Sequence, residues 1–142
     1  MYQVPEDMKL SKNFTLREFA CKDGSKEITV DYKLVQLLQK LRDALGKPIT
    51  VTSGYRTVIY NKRCGGISTS HHLTGKASDL IVAGKTPLEV ARWADEVGFK
   101  GIGVYPTFTH VDVVGSVTGK KLYWRTDKSG KQTFYKSLDE MK

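Results

Sequence analysis

Cysteine is scarce in this 142-residue sequence, which contains only Cys21 and Cys64. Two cysteines cannot form a dense disulfide framework, and we expect both to be free thiols. No apolar run approaches the roughly 20 residues of a membrane-spanning helix. The first residues also lack the basic start and apolar core of a signal peptide, so we expect synthesis in a cytoplasm without one.

Acidic residues are outnumbered, because 23 lysines and arginines face 15 aspartates and glutamates, a formal net charge of +8. The composition, 39% hydrophobic and 27% charged, is typical of a globular protein and excludes a disordered one. The length predicts one domain over residues 1–142. The positive charge favours an anionic partner, either nucleic acid or an anionic cell wall surface. Nucleic acid is the less favoured partner, because the lysines are scattered and the longest basic runs are pairs such as Lys120-Lys121.

The apolar pattern predicts an α+β fold. Apolar residues at helical spacing predict a helix from Asp31 to Leu45 that ends at Gly46. A capping box at residues 86–89 predicts a second helix that runs to about Val97, with Gly98 as its stop. A short helix is expected at 15–20, strands at 49–52, 77–82, 101–105 and 109–114, a hairpin at 122–125 and 133–135, an irregular start at 1–13, and a loop with one helical turn at 57–69.

Histidine is also scarce, and its positions are informative. His72 lies seven positions before Asp79, across Gly75, and His110 begins a His-Val-Asp triplet in a predicted strand. Two imidazoles and a carboxylate without a fourth protein ligand are typical of an open, catalytic zinc site, because structural sites use four protein ligands. The pattern therefore indicates a hydrolase, although a lone histidine is more often an ordinary core or surface residue.

Two further polar side chains belong to this hypothesis. Asp112 lies two residues after His110, so in a strand both side chains point to one face. Asp112 could therefore orient His110, act as the general base, or replace His110 as the ligand. Arg56 ends a tight Ser-Gly-Tyr-Arg turn and suits a planar carboxylate or carbonyl, or a developing oxyanion, although such an arginine also forms surface ion pairs.

At these residues the sequence resembles the zinc D-alanyl-D-alanine carboxypeptidases of the hedgehog/DD-peptidase superfamily, in the branch of small bacterial and phage enzymes. The resemblance spans about residues 13–115, and residues 116–142, the predicted hairpin and tail, match little. It rests on ordered blocks, among them Phe14–Cys21, Thr52–Arg56, Ser70-x-His72-x-x-Gly75-x-Ala77-x-Asp79, Gly101–Tyr105 and His110-Val-Asp112.

The resemblance implies an antiparallel sheet with helices packed on one side, and a bound Zn²⁺. It implies His72 and Asp79 as zinc ligands and a third ligand in the 110–112 triplet, for which we choose His110. The neighbouring His71 is expected to stay unbound. Several relatives carry an acidic or histidine base just before the third ligand, but residues 104–109 contain none, so Asp112 is the remaining candidate.

The same resemblance implies that Arg56 and Ser70 hold the peptide carbonyl or carboxylate of the substrate. Arg56 is thus also a candidate catalytic residue, and Tyr105 of the Gly101–Tyr105 block is a candidate substrate-binding residue. The implied substrates are the D-amino-acid peptides of peptidoglycan.

The implied function is that of a zinc metallopeptidase, either a D,D-carboxypeptidase or an endopeptidase. We expect a monomer, such as a phage endolysin that reaches the cell wall through a lysis system. The alternative is a non-catalytic zinc-binding module that recognises the wall or a protein partner.

Overall fold

Eight strands carry the fold in the computed structural model, which describes residues 8–141. The first two, β1 (Lys9–Ser11) and β2 (Phe14–Thr15), form a small antiparallel pair. The other six form one sheet in the order β3-β4-β6-β5-β7-β8. They are β3 (Thr50–Ser53), β4 (Ala77–Ile81), β5 (Gly101–Val104), β6 (Thr109–Asp112), β7 (Leu122–Thr126) and β8 (Gln132–Tyr135).

The large sheet is mixed, whereas the resemblance predicted an antiparallel one. Four of its strand pairs are antiparallel, but β5 and β7 are parallel. The reason is the route of the chain: after β6 it reverses direction and crosses β5 before entering β7. The predicted hairpin of β7 and β8 is present and antiparallel.

The two long helices begin and end where their caps predict. Helix α1 (Tyr32–Leu45) begins after Asp31, whose side chain accepts a hydrogen bond from the Lys33 amide, and ends at Gly46. Helix α3 (Pro87–Val97) has the predicted capping box, and Gly98 ends it. The left-handed φ angles of these two glycines, 65° and 110°, are ones that glycine adopts without a steric penalty.

Shorter helices complete the α+β architecture. Helix α2 (Val58–Arg63) occupies part of the segment predicted as a loop with one turn. Short 3-10 helices lie at Leu16–Phe19, His71–Thr74 and Leu138–Glu140. The predicted irregular start at 1–13 is wrong for Lys9–Ser11, which pairs with β2. Residues 1–7, to which the prediction of no signal peptide refers, lie outside the described residues.

The hydrophobic core fills the space between α1, α3 and one face of the sheet. Because strand residues alternate between faces, Leu80, Ile102 and Val111 enter this core, while Asp79 and His110 lie on the opposite face. The two predicted free thiols are confirmed, one buried and one exposed. None of the helices between residues 8 and 141 has the length and apolar character that crossing a membrane would require.

Candidate metal centre

The sheet register brings the first two candidate ligands together. Asp79 on β4 lies directly opposite His110 on β6, so both side chains occupy the same face. His72 is added from the 3-10 helix His71–Thr74, which immediately precedes β4. The three side chains thus come from three different elements, the strands β4 and β6 and the short helix.

All three candidate ligands are buried and point at one another. Oδ1 of Asp79 lies 3.3 Å from Nε2 of His72 and 3.2 Å from Nδ1 of His110. One ligand atom from each residue lies within 4.8 Å of the others. No further histidine, cysteine or carboxylate between residues 8 and 141 joins this cluster. The set therefore brings together the three residues that the sequence analysis chose as ligands.

The orientation of His72 is fixed by backbone contacts. Its Nδ1 lies 2.7 Å from the carbonyl oxygen of Gly54. A carbonyl only accepts hydrogen bonds, so Nδ1 carries a proton, and Nε2 is the ring nitrogen that faces Asp79. Ser70 caps the short helix by accepting a hydrogen bond from the His72 amide, at 3.3 Å. Gly75 ends that helix with a φ of 69°, where a Cβ would also collide with the Thr29 backbone.

His110 is held from behind by Asp112. Its Nε2 lies 2.8 Å from Oδ2 of Asp112, while Nδ1 faces Asp79. The other Asp112 oxygen accepts hydrogen bonds from the amides of Val114 and Gly115, at 3.0 and 2.8 Å. Asp112 is 1% exposed. The geometry thus places His110, rather than Asp112, against Asp79.

Arg56 closes the other side of Asp79. Its Nη2 lies 3.3 Å from Oδ2 of that carboxylate, its Nε donates to Ser53 Oγ at 3.0 Å, and its Nη1 donates to Asn61 Oδ1 at 3.3 Å. A guanidinium has five N–H groups, and these three contacts use three of them. The side chain of Arg56 is 13% exposed, which gives a ligand a narrow approach.

Mutual hydrogen bonding determines the charges in the cluster. Burial opposes ionisation of Asp79, but hydrogen bonds from His110 and His72 outweigh it and hold the pKa of Asp79 well below its usual range. Burial likewise opposes the charged form of His110, yet its bonds to Asp112 and Asp79 raise the pKa of His110 to about 9. Burial also acts against ionisation of Asp112, but the bond from His110 lowers its pKa. The metal-free site therefore has the cationic imidazole of His110 between the carboxylates of Asp79 and Asp112. A metal cation could supply the positive charge in its place.

The ligand geometry fits zinc. Zinc–ligand distances of about 2.0–2.2 Å at tetrahedral angles imply ligand atoms roughly 3.3–3.6 Å apart. The observed separations of 3.3 and 3.2 Å between Asp79 and the two imidazole nitrogens agree with this spacing. Two imidazoles and one carboxylate are also a donor set typical of catalytic zinc. The residues present thus fit Zn²⁺ in their donor atoms and in the spacing of Asp79 from the two imidazoles.

The remaining predicted residues lie at the margin of the site. Ser70 contacts the cluster through the His72 backbone. Tyr105 is one residue further out, because its hydroxyl accepts a hydrogen bond from Nε1 of Trp124, whose ring lies 5.0 Å from that of His110. Tyr105 also lines a cavity of about 400 Å³.

Sequence analysis assigned no role to Ser53, Gly54, Asn61 or Trp124. Ser53 and Gly54 lie within the Thr52–Arg56 block of the resemblance, and Asn61 lies in its Tyr60-Asn61 block. Membership of these blocks was the signal available for the three residues. Asn61 is 2% exposed, and its Nδ2 donates to the Ile67 carbonyl at 2.8 Å while its Oδ1 accepts from Arg56. Both ends of its side-chain amide are therefore fixed by hydrogen bonds. Trp124 belongs to the predicted hairpin, but the sequence pattern does not indicate that this hairpin pairs with β5.

Comparison with known proteins agrees with this geometry. The family model described as peptidase M15 matches residues 12–113. The chain is 33% identical over 143 aligned positions to the zinc D-Ala-D-Ala carboxypeptidase of Streptomyces albus G, covering 92% of this chain and 55% of that protein. It is 32% identical over 106 positions to the probable peptidoglycan L,D-endopeptidase MepK of Haemophilus influenzae, covering 68% of this chain and 54% of that protein. The chain thus spans about half the length of these curated relatives.

Proposed function

This chain belongs to the peptidase M15 family, and on that premise we propose that it is a zinc-dependent peptidase acting on peptidoglycan stem or cross-link peptides. The observation that carries the proposal is the convergence of His72, Asp79 and His110 into an open three-ligand set beside Arg56. The relatives are named for a D-Ala-D-Ala carboxypeptidase and an L,D-endopeptidase. Both are amide hydrolases, and the proposal covers a D,D-carboxypeptidase and an endopeptidase.

The three ligands would hold zinc through Nε2 of His72, Oδ1 of Asp79 and Nδ1 of His110. A zinc ion held there would supply a bound water with a pKa near neutrality and would polarise the carbonyl of an amide. The protein's own contribution is orientation. The Gly54 carbonyl fixes the tautomer of His72, and Arg56 holds the second oxygen of Asp79.

Arg56 is the proposed substrate-binding and catalytic residue. Its two remaining N–H groups would bind a substrate carboxylate or the oxygen that becomes negative during amide hydrolysis. Because Ser53, Asn61 and Asp79 hold the guanidinium, little conformational freedom is lost when the substrate binds. Ser70 and Tyr105 stay proposed substrate contacts at the margin of the site.

For Asp112 we propose orientation of His110 in place of the general-base role expected from the sequence. Acting as a base would require Asp112 to give up a bond to His110 or to the amides of Val114 and Gly115. A carboxylate behind a ligating histidine fixes the tautomer and raises the basicity of that ligand. The same observation favours a second candidate function, a zinc-binding module that cleaves nothing.

Digestion of purified peptidoglycan distinguishes the two functions. The zinc-loaded protein, the chelated protein and the His72→Ala variant would be incubated with muropeptides, and the products identified by mass spectrometry. We expect new peptide ends only with the zinc-loaded wild type, and His71→Ala, which changes the adjacent histidine, should retain cleavage. Loss of one terminal D-alanine identifies a carboxypeptidase, and new internal ends identify an endopeptidase. Stoichiometric zinc without any cleavage would establish the binding module.

The place of action follows from the substrate. We propose that the protein acts at the cell wall, where its net charge of +8 favours association with an anionic surface. The phage endolysin role, release through a lysis system and the monomeric state stay predictions. Sedimentation of the purified protein and lysis of cells with permeabilised membranes would test them.

A further inference from the structure

A row of residues crosses the sheet from the metal centre to its edge. The register aligns Asp79, His110, Gly103, Trp124 and Phe134 on five adjacent strands. Residues directly opposite one another share a face, so the row lies on the face of the metal centre. Its last member, Phe134, belongs to β8, which is an edge strand of the sheet.

Gly103 gives the indole of Trp124 its place in this row. A Cβ at Gly103 would lie 2.5 Å from Cε2 of Trp124, so the indole lies directly over β5. The ring of Trp124 is 5.0 Å from that of His110 and 6.4 Å from that of Phe134. The bond from Trp124 Nε1 to the Tyr105 hydroxyl, at 3.2 Å, fixes the plane of the ring. Aromatic contacts therefore extend from a candidate zinc ligand to the edge strand.

The outer end of the row is exposed. Trp124 is 8% exposed, whereas Phe134 is 60% exposed. An exposed phenyl ring forgoes the hydrophobic free energy that burial would supply. An apolar surface continuous with a binding site is a common feature of ligand recognition. We call the surface formed by Trp124 and Phe134 the aromatic platform.

We propose that the aromatic platform binds the peptide portion of the substrate, several residues from the bond cleaved at the metal centre. This inference rests on the proposed function. From His110 to Phe134 the row crosses three strand-to-strand steps, about 14 Å, which is roughly four residues of extended peptide. Over that distance the groups joined to the scissile amide are amino acids, and an aliphatic side chain would pack on the Phe134 ring. The platform is thus a specificity determinant supplied by residues beyond the 12–113 family match.

Two substrates of different length test this inference. One is a peptidoglycan stem pentapeptide, and the other is an N-acetylated dipeptide that contains only the two residues of the cleaved bond. Phe134→Ala should lower kcat/KM for the pentapeptide by about tenfold, the loss typical of a truncated aromatic anchor. It should leave the dipeptide unchanged, because the dipeptide cannot reach the platform. Trp93→Ala, a half-exposed aromatic on α3, is the matched control and should change neither value.

Three outcomes would overturn the proposal. Equal losses for both substrates would mean that Phe134 acts through the metal centre or the fold. No loss for either would mean that the platform does not contact substrate. A loss confined to muropeptides that carry their disaccharide would assign the surface to glycan.

A binding measurement keeps the platform testable if the wild type cleaves none of these substrates, which would refute the proposed function. Calorimetric titration of the pentapeptide into the wild type and Phe134→Ala should still show about tenfold weaker binding to the variant. Equal dissociation constants, or no binding by the wild type, would overturn the platform proposal separately.

Discussion

Replacement of Asp112 by asparagine distinguishes its two candidate roles. Asparagine keeps the shape of the side chain, and its oxygen can still accept the hydrogen bonds from the amides of Val114 and Gly115. The amide nitrogen would then face Nε2 of His110, at the position of the oxygen that now lies 2.8 Å away. Because an amide N–H donates, it favours the tautomer of His110 with the proton on Nδ1, which is the wrong tautomer for binding metal through that atom.

The expected effect of Asp112→Asn is on zinc affinity. Loss of a carboxylate behind a ligating histidine typically weakens metal binding 10- to 100-fold, which corresponds to about 1.4–2.7 kcal/mol. Competition with a chromogenic zinc chelator would measure the dissociation constant, and kcat would be measured with zinc at saturation. We expect kcat to recover most of its wild-type value at saturation. The control is Asp139→Asn, which removes an exposed carboxylate and should leave the zinc affinity unchanged.

The opposite pattern would refute the orienting role. If the zinc dissociation constant stays within twofold of the wild type while kcat at saturating zinc falls more than 100-fold, Asp112 acts as the general base. The bonds to His110, Val114 and Gly115 would then have to rearrange when the substrate binds.

Two further predictions concern the face of the sheet that carries the site. Gly103→Ala places a methyl group against the Trp124 indole. We expect the free energy of unfolding, measured by urea denaturation, to fall by about 1–3 kcal/mol and the tryptophan fluorescence spectrum to change. In metal-free protein, the raised pKa of His110, about 9 against 6.5 unfolded, stabilises the fold fully below pH 6.5, and this stability is lost as the pH rises through 9. Denaturation between pH 6 and 10 should therefore show that the free energy of unfolding of the metal-free protein falls by about 3 kcal/mol. This fall should disappear with zinc bound, because the metal takes the place of the proton. A metal-free free energy of unfolding that does not change with pH would contradict this.

The local sequence predicted those features that depend on local chemistry. Asp31 and Thr86 cap α1 and α3 because a short polar side chain satisfies the first amides of a helix. His72 and Asp79 meet because the short helix and the strand that carry them are adjacent in the chain. The choice of His110 over Asp112 was open from spacing alone, because residues two apart in a strand share a face.

The parallel pairing of β5 with β7 could not be predicted in the same way. Strand patterns identify strands, but the neighbour of a strand depends on which alternatives bury the most surface over the whole sheet. Gly101 and Gly103 show the consequence: a Cβ at Gly101 would collide with the carboxylate of Asp112, and one at Gly103 with the indole of Trp124. The reason for glycine at each position becomes visible only when the neighbouring strand is known.

The tail also determines whether the family-matched part can fold alone. Strand β7 lies between β5 and β8, and Tyr123, Leu138 and Met141 are at most 8% exposed in the core. Burying each such side chain contributes about 1.5–3 kcal/mol, so a chain that stops after Gly115 would lose an amount comparable to the whole stability of a typical domain, about 5–15 kcal/mol. We expect a 1–115 fragment to lack dispersed amide resonances and cooperative thermal unfolding, whereas the full chain has both. A cooperatively folded fragment that binds zinc would show that β7 and the residues after it are an addition to the metal centre, with no part in its support.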